Sequence, residues 1–156
     1  MRLLPRRNPR KFTKAESFCL FIEGVRALQL YDKEAYNPQP DKLVLDTNLD
    51  EAEAKFRKCV EEYPKDILPL YYYGIVLTLR GQVEEALQLR HELEANRPGA
   101  RLASGGDEHD RLFLKAAAVF EKVSQQTGGD LLAYAEYNQA LALARTAPIR
   151  SHGTVR

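Results

Sequence analysis

The sequence predicts an all-α protein, and three observations support this fold class. Apolar residues recur at spacings of three and four in several long segments, as they do along one face of a helix. Stretches rich in proline or glycine separate those segments. The single run with the composition of a strand, residues 43–45, is too short to form one. With 44% hydrophobic and 29% charged residues among 156, the composition is that of one soluble globular domain.

The chain begins with a basic segment that we expect to be a flexible arm. Residues 1–12 hold two prolines and five arginines or lysines without an apolar period. The helical domain is expected to cover residues 13–147. Its first helix is predicted from Thr13 to about Tyr31, because Thr13 and Glu16 match a capping box, in which both side chains bond free amides of the first turn.

Prolines shape the next part of the chain. Pro38 and Pro40 have no amide hydrogen to donate, so residues 32–48 are predicted to form a long loop. Such a loop either covers a binding groove or is a tolerated surface insertion. A second helix is predicted to begin at Asn48 and to stop at Pro64.

Two further helices are predicted in the middle of the chain. Asp66 can cap a third helix that continues to Arg80. Gly81 is then expected to permit a turn. A fourth helix over residues 83–96 follows and stops before Pro98.

The last part of the chain predicts one more helix pair. Residues 99–109 are rich in glycine and are expected to form a loop. Helical spacing then predicts a fifth helix over residues 110–126 and a sixth over residues 131–146. Residues 148–156 have no apolar period and are expected to fray. The expected total is about six helices.

The sequence also contains an internal repeat with a period of 34 residues, the length of a helix-turn-helix repeat unit. The corresponding pairs are Ala52 and Ala86, Phe56 and Arg90, Cys59 and Leu93, and Pro64 and Pro98.

Residues 49–98 resemble degenerate tetratricopeptide repeats. The positions that carry the first-helix pattern are Leu70, Tyr73, Gly74 and Leu77, and those that carry the turn, second helix and terminator are Gly81, Ala86 and Pro98. The small residues Gly74 and Ala86 are expected where two helices cross. Gly24 is expected to play the role of Gly74 in an earlier unit with an insertion of 16 residues. The resemblance implies antiparallel helix pairs stacked as a short right-handed superhelix.

The same resemblance implies a non-catalytic adaptor or scaffold that binds a peptide or helix on its concave face. The implied groove positions are Leu68, Tyr71, Tyr72, Ile75, Thr78 and Leu79. The alternative for the tyrosines is packing against adjacent helices. Repeats that bind chaperone tails need lysine and asparagine where this chain has Phe21, Val25 and Tyr72, so that role is not expected. Self-association and a regulatory role in a larger enzyme or signalling assembly stay open as alternatives.

Charge is unevenly distributed and bears on the partner. Residues 1–31 carry a net charge of +5, whereas residues 32–98 carry −5. The acidic middle segment favours a basic partner. The basic residues 1–14 hold too few aromatic side chains to indicate binding of nucleic acid, and binding of an acidic membrane is likewise not expected.

The sequence offers no catalytic residues, metal site or cofactor site. His91, His109 and His152 lack the spacing of metal ligands, and no phosphate-binding loop or nucleophile elbow is present. Cys19 and Cys59 are isolated thiols, which is typical of a reducing, cytoplasmic setting. The N-terminal residues do not match a secretory signal, and apolar runs are too short to span a bilayer. The chain is therefore predicted not to be an enzyme.

Overall fold

The computed structural model describes residues 12–100 and 108–146, and within these residues the chain forms five helices and no strand. The helices are α1 (Ala15–Ala35), α2 (Lys42–Glu62), α3 (Ile67–Glu94), α4 (Glu108–Gln126) and α5 (Gly129–Thr146). The predicted all-α class is confirmed. The predicted flexible arm (1–12), apart from Phe12, and the predicted frayed tail (148–156) lie outside the described residues.

The connection between α1 and α2 is much shorter than predicted. α1 continues past Tyr31 to Ala35, and α2 begins at Lys42, so residues 36–41 replace the predicted loop over 32–48. The Asp41 carboxylate caps α2 by accepting hydrogen bonds from the amides of Leu43 (2.8 Å) and Val44 (3.4 Å). Residues 43–45, which have the composition of a strand but are too short to form one, thus lie in the first turn of a helix.

The predicted turn at Gly81 is wrong, and this error accounts for the difference between six helices and five. α3 continues through Gly81 without interruption. A Cβ atom at Gly81 would lie 2.7 Å from Cε1 of Phe113 on α4. Glycine at this position therefore allows a close approach of the Phe113 ring, and not a reversal of the chain.

The contacts within the chain define two units, divided inside α3 after Tyr72. In unit 1, α1 and α2 run antiparallel, because residues early in α1 bond residues late in α2. Tyr63 donates a hydrogen bond to Glu16 (2.8 Å), and the Lys55 ammonium lies 2.7 Å from the Glu23 carboxylate. The Phe56 ring lies against Gly24, where a Cβ would be 2.6 Å from Cε1. This contact brings the two helix backbones close together.

Unit 2 contains the C-terminal part of α3 with α4 and α5. Gly74 lies against Phe120 and Gly81 lies against Phe113, so the order of contacts along α3 is reversed along α4. The two helices are therefore antiparallel. α5 follows α4 after a short turn and packs on it. The Arg145 guanidinium lies over the Phe113 ring, 5.5 Å from its centroid.

Candidate interaction surfaces

The aromatic residues predicted to line a groove lie in the interior. Tyr71 is 0% exposed, Tyr72 is 2% exposed and Ile75 is 6% exposed. The Tyr72 ring centroid is 5.3 Å from that of Phe21 and 5.6 Å from that of Phe56. The alternative in which the tyrosines pack between helices describes them better, since no side-chain surface is left for a partner.

The remaining groove positions are only partly accessible. Leu68, Thr78 and Leu79 are half-buried. The Thr78 hydroxyl donates to the Gly74 carbonyl within α3 (3.0 Å), so its polar group already has a partner. Contact between these three residues and another protein stays a prediction.

The burial pattern also corrects the internal repeat. Ala52, Phe56 and Cys59 are all fully buried in unit 1. Their counterparts at the 34-residue period, Ala86, Arg90 and Leu93, are exposed. Ala86 is therefore not at a helix crossing.

Residues 64 positions later match instead. Ala116, Phe120 and Val123 on α4 have the same spacing as the three residues of α2, and all are fully buried. Phe56 packs on Gly24 as Phe120 packs on Gly74. The equivalent helix pairs are thus α1–α2 and α3–α4. The paired alanine-to-phenylalanine spacing was the signal in the sequence that could have identified them.

A buried polar cluster fixes the beginning of α1 in unit 1. The Asp66 carboxylate, only 2% exposed, accepts hydrogen bonds from the Thr13 amide (2.9 Å), the Thr13 hydroxyl (3.1 Å) and the Ser17 hydroxyl (2.5 Å). The predicted capping box is therefore wrong: the N-cap of α1 is Lys14, without a side-chain cap, and Thr13 bonds Asp66. The three hydrogen bonds that the buried Asp66 carboxylate accepts indicate that this cluster has a structural role.

The titratable groups near this cluster do not form a reactive site. Burial raises the pKa of the Cys59 thiol to about 11, and the thiol donates to the Ser17 carbonyl (3.5 Å). The hydrogen bond to Glu16 raises the pKa of Tyr63 to about 12. A hydrogen bond to Glu23 likewise raises the pKa of Lys55. At neutral pH the Cys59 thiol is protonated, which disfavours nucleophilic chemistry.

No group of three or more histidine, cysteine or acidic side chains that could hold a metal ion occurs in the part of the chain that the structure describes. The helices instead present exposed apolar side chains, which are the features that another protein could recognise. In unit 1, Tyr36 is 88% exposed and Leu43 is also exposed at the α1–α2 connection. In unit 2, Leu89 and Leu93 are exposed near the end of α3.

A further apolar surface lies on α5. Only Ala135 and Ala142 of this helix are buried, and they face the rest of unit 2. The opposite side, which we call the α5 outer face, consists of Ala133, Tyr137, Ala140, Leu141 and Ala144, and all five side chains are exposed. Tyr137 is 59% exposed. α5 is thus apolar on both sides, which is typical of a helix that is covered on both sides.

Within the residues that the structure describes, fold and surfaces together define an all-α protein of helix pairs with an exposed apolar helix face. Comparison with protein-family models, with curated proteins and with solved structures finds no significant match. None of the helices in the described ranges is long and apolar enough to cross a membrane.

Proposed function

We propose that this chain is a non-catalytic protein–protein interaction module, an adaptor or scaffold built from helix pairs similar to tetratricopeptide repeats. The similarity is supported by the two equivalent contacts, Gly24 with Phe56 and Gly74 with Phe120. In this interpretation α1–α2 and α3–α4 are the two repeat units. α5, which packs on α4, is a further helix outside these two units. The superhelical stacking that the resemblance implies stays part of the proposal.

The observation that carries the proposed function is the α5 outer face. A helix at the surface of a protein normally turns charged or polar residues to water. Between Ala133 and Ala144, α5 turns three alanines, a tyrosine and a leucine outward. Covering this face with a helix of another chain would remove apolar surface from water, at about 25 cal/mol per Å². The proposed binding site is therefore the α5 outer face in place of the buried tyrosines of α3.

The chemistry of this face restricts its partner. Because the face holds no charge, the partner must present an apolar helix face with a small residue opposite Tyr137. The acidic excess of residues 32–98 would add a preference for a basic partner. Part of that acidic charge is already paired, since Glu85 binds Arg145 and Glu94 binds Arg90. A regulatory role in an enzyme assembly would use the same face.

The proposed setting is a reducing compartment such as the cytoplasm. Cys19 and Cys59 are both free thiols, and Cys19 is exposed. An exposed unpaired cysteine is compatible with a reducing environment and is a liability in an oxidising one.

A pair of matched variants tests the proposed function. The full chain and its Tyr137→Lys variant are used to capture binding proteins, and Tyr36→Lys serves as the control because it also removes an exposed tyrosine. We expect Tyr137→Lys to abolish capture, since a lysine ammonium would have to be buried. Tyr36→Lys should leave it intact. Capture that survives Tyr137→Lys, with helical circular dichroism unchanged in all three proteins, would contradict the assignment of the site.

A further inference from the structure

Thr13 combines an exposed side chain with a buried hydrogen-bond partner. The residue lies two positions before the beginning of α1 and is exposed to solvent. Its amide and its hydroxyl each donate to an oxygen of the Asp66 carboxylate, at 2.9 and 3.1 Å. Asp66 itself is only 2% exposed. An enzyme can therefore approach the Thr13 hydroxyl from solvent, whereas any negative charge added to that hydroxyl would face a buried carboxylate.

Basic residues precede this hydroxyl at positions that protein kinases recognise. Arg10 and Lys11 lie three and two residues before Thr13. Kinases select their substrates partly by such charge patterns, because basic side chains beside the acceptor bind acidic groups next to the active site. Thr47 is also exposed, but the corresponding residues 44–45 are apolar. The pattern thus distinguishes Thr13 and gives a role to basic charge for which binding of nucleic acid or membrane is not expected.

A phosphoryl group on Thr13 would break the contact with Asp66. The group adds about −1.5 to −2 charges at neutral pH. The modified oxygen has no proton to donate, so the 3.1 Å hydrogen bond is lost and the carboxylate faces like charge at close range. The N-terminus of α1 favours negative charge, but it carries only about half an elementary charge and is open to water. Repulsion from the buried carboxylate therefore outweighs attraction to the helix end.

The beginning of α1 depends on this contact. The ring of Phe12, the residue before Thr13, has its centroid 5.2 Å from that of Phe18 and 5.0 Å from that of Phe21. Phe21 is fully buried. Because Phe12 and Thr13 are adjacent, moving Thr13 away from Asp66 also disturbs the packing of the Phe12 ring. The first turns of α1 then lose a polar and an apolar contact together, so they open more often.

We propose that Thr13 is a phosphorylation site for a kinase that recognises basic residues before its acceptor, and that phosphorylation releases the beginning of α1 from Asp66. The γ-phosphoryl group of ATP is transferred to Oγ1 of Thr13. The bond between that phosphorus and the bridging oxygen of ADP breaks, a new phosphorus–oxygen bond forms, and the hydroxyl proton passes to the catalytic base of the kinase. This inference goes beyond the proposed function and does not depend on the α5 outer face.

Phosphorylation of the purified full chain tests the site. The wild type, Thr13→Val, Thr47→Val and a double variant, Arg10→Ala with Lys11→Ala, are incubated with MgATP and cyclic-AMP-dependent protein kinase, which selects basic residues at these positions. We expect phosphate on Thr13 in the wild type and in Thr47→Val, and a rate lower by about tenfold or more in the double variant. Phosphopeptide mapping separates Thr13 from Ser104, which also follows an arginine by three residues. Absence of phosphate from Thr13 in the wild type, or a rate that the double variant does not lower, would overturn the proposal.

Amide hydrogen exchange tests the structural consequence. The phosphorylated and unmodified wild-type chains are compared by mass spectrometry of peptides. Exchange in the first two turns of α1 should become faster by about tenfold or more, because these turns open locally. Exchange in α5 should be unchanged and serves as the internal control. Equal exchange of α1 in the two forms would overturn the release of this helix end.

Two variants separate the added charge from the lost hydrogen bond. Thr13→Val removes the hydroxyl donor without adding charge, so it should speed the exchange of α1 less than phosphorylation does. In Asp66→Asn the phosphoryl group no longer faces a carboxylate, so phosphorylation should speed exchange by a smaller factor than in the wild type. Circular dichroism verifies that both variants keep their helix content. The same factor in Asp66→Asn and the wild type would show that repulsion from Asp66 does not cause the release.

Discussion

The helix pair of unit 1 and the helix α5 of unit 2 use aromatic residues in opposite ways. In unit 1, Phe21, Phe56 and Tyr72 turn inward and form one ring cluster. In α5, the buried side chains are two alanines, and Tyr137 points outward. The rings of unit 1 thus mark a contact between helices of the same unit. Under the proposed function, Tyr137 marks a contact with a helix of another chain.

The strongest test of whether the rings of unit 1 and Tyr137 have different roles is to truncate one ring in each region. Phe56→Ala should lower the free energy of unfolding by about 3–5 kcal/mol, because it empties a fully buried site against Gly24. Tyr137→Ala should change it by no more than about 0.5 kcal/mol, as at other exposed positions. Urea unfolding followed by circular dichroism measures both.

The reverse result would reject the comparison. A large loss of stability for Tyr137→Ala in the monomer would mean that the ring packs within its own chain. A small loss for Phe56→Ala would mean that the ring cluster is not the core of unit 1.

A second test adds a methyl group at a close helix contact. In Gly74→Ala the new Cβ would lie 2.7 Å from Cε1 of the buried Phe120 ring, so the ring must move. Overpacking of this kind costs about 1–3 kcal/mol, partly offset by the higher helix propensity of alanine. In the control, Gly128→Ala, the Cβ has no atom within 4 Å and stability should be nearly unchanged.

A compensating change sharpens this test. Phe120→Leu shortens the side chain that the new methyl group meets. In the background of Gly74→Ala it should cost less stability than it does in the wild type, which a double-mutant cycle of urea unfolding measures. Additive effects would show that the Gly74 and Phe120 positions do not constrain each other.

Local periodicity predicted the helices, whereas the roles of glycine and proline were harder to infer. The fifth and sixth predicted helices correspond to α4 and α5 with ends shifted by no more than two residues. Gly81 was predicted to break a helix because glycine is common at turns. Its actual role is to admit the Phe113 ring. Both roles require the absence of a side chain, so the sequence alone does not distinguish them.

The candidate site was predicted less well than the fold, for a related reason. Tyr71 and Tyr137 both lie on helices at positions where a ring can serve either a core or a binding surface. Which face of a helix is covered depends on how the helices of a unit pack, and the sequence of one helix does not specify that packing. The 34-residue period had the same weakness, since Ala86 matches Ala52 in identity and not in burial.

A third test addresses the polar contact that joins the ends of the unit 1 helices. Asp66→Asn should lower the free energy of unfolding by about 1–2 kcal/mol. An NH2 group, which cannot accept a hydrogen bond, then takes the place of one of the two carboxylate oxygens that accept from Thr13 and Ser17. The exposed Asp130→Asn provides a matched control with little expected effect. Equal effects of the two changes would show that the hydrogen bonds to Asp66 do not stabilise α1.

The smallest expected effect is a dependence of stability on alkaline pH that originates at Cys59. Burial raises the pKa of this thiol from 9.0 to about 11 in the folded chain, so the unfolded chain loses its proton first. The contribution is therefore complete below pH 9 and is lost as the pH rises towards 11. Between pH 8 and pH 10 the loss should be on the order of 1 kcal/mol.

The Cys59→Ala variant isolates this contribution, because it has no thiol to ionise. Its free energy of unfolding should fall less between pH 8 and pH 10 than that of the wild type, and both are measured by urea unfolding under reducing conditions. Tyr63 titrates in the same direction, but its pKa rises from 10.0 to about 12, so most of its effect lies above this window. Parallel pH profiles for the two proteins would mean that Cys59 is accessible to water, and rapid labelling of Cys59 at the rate of the exposed Cys19 would establish the same point independently.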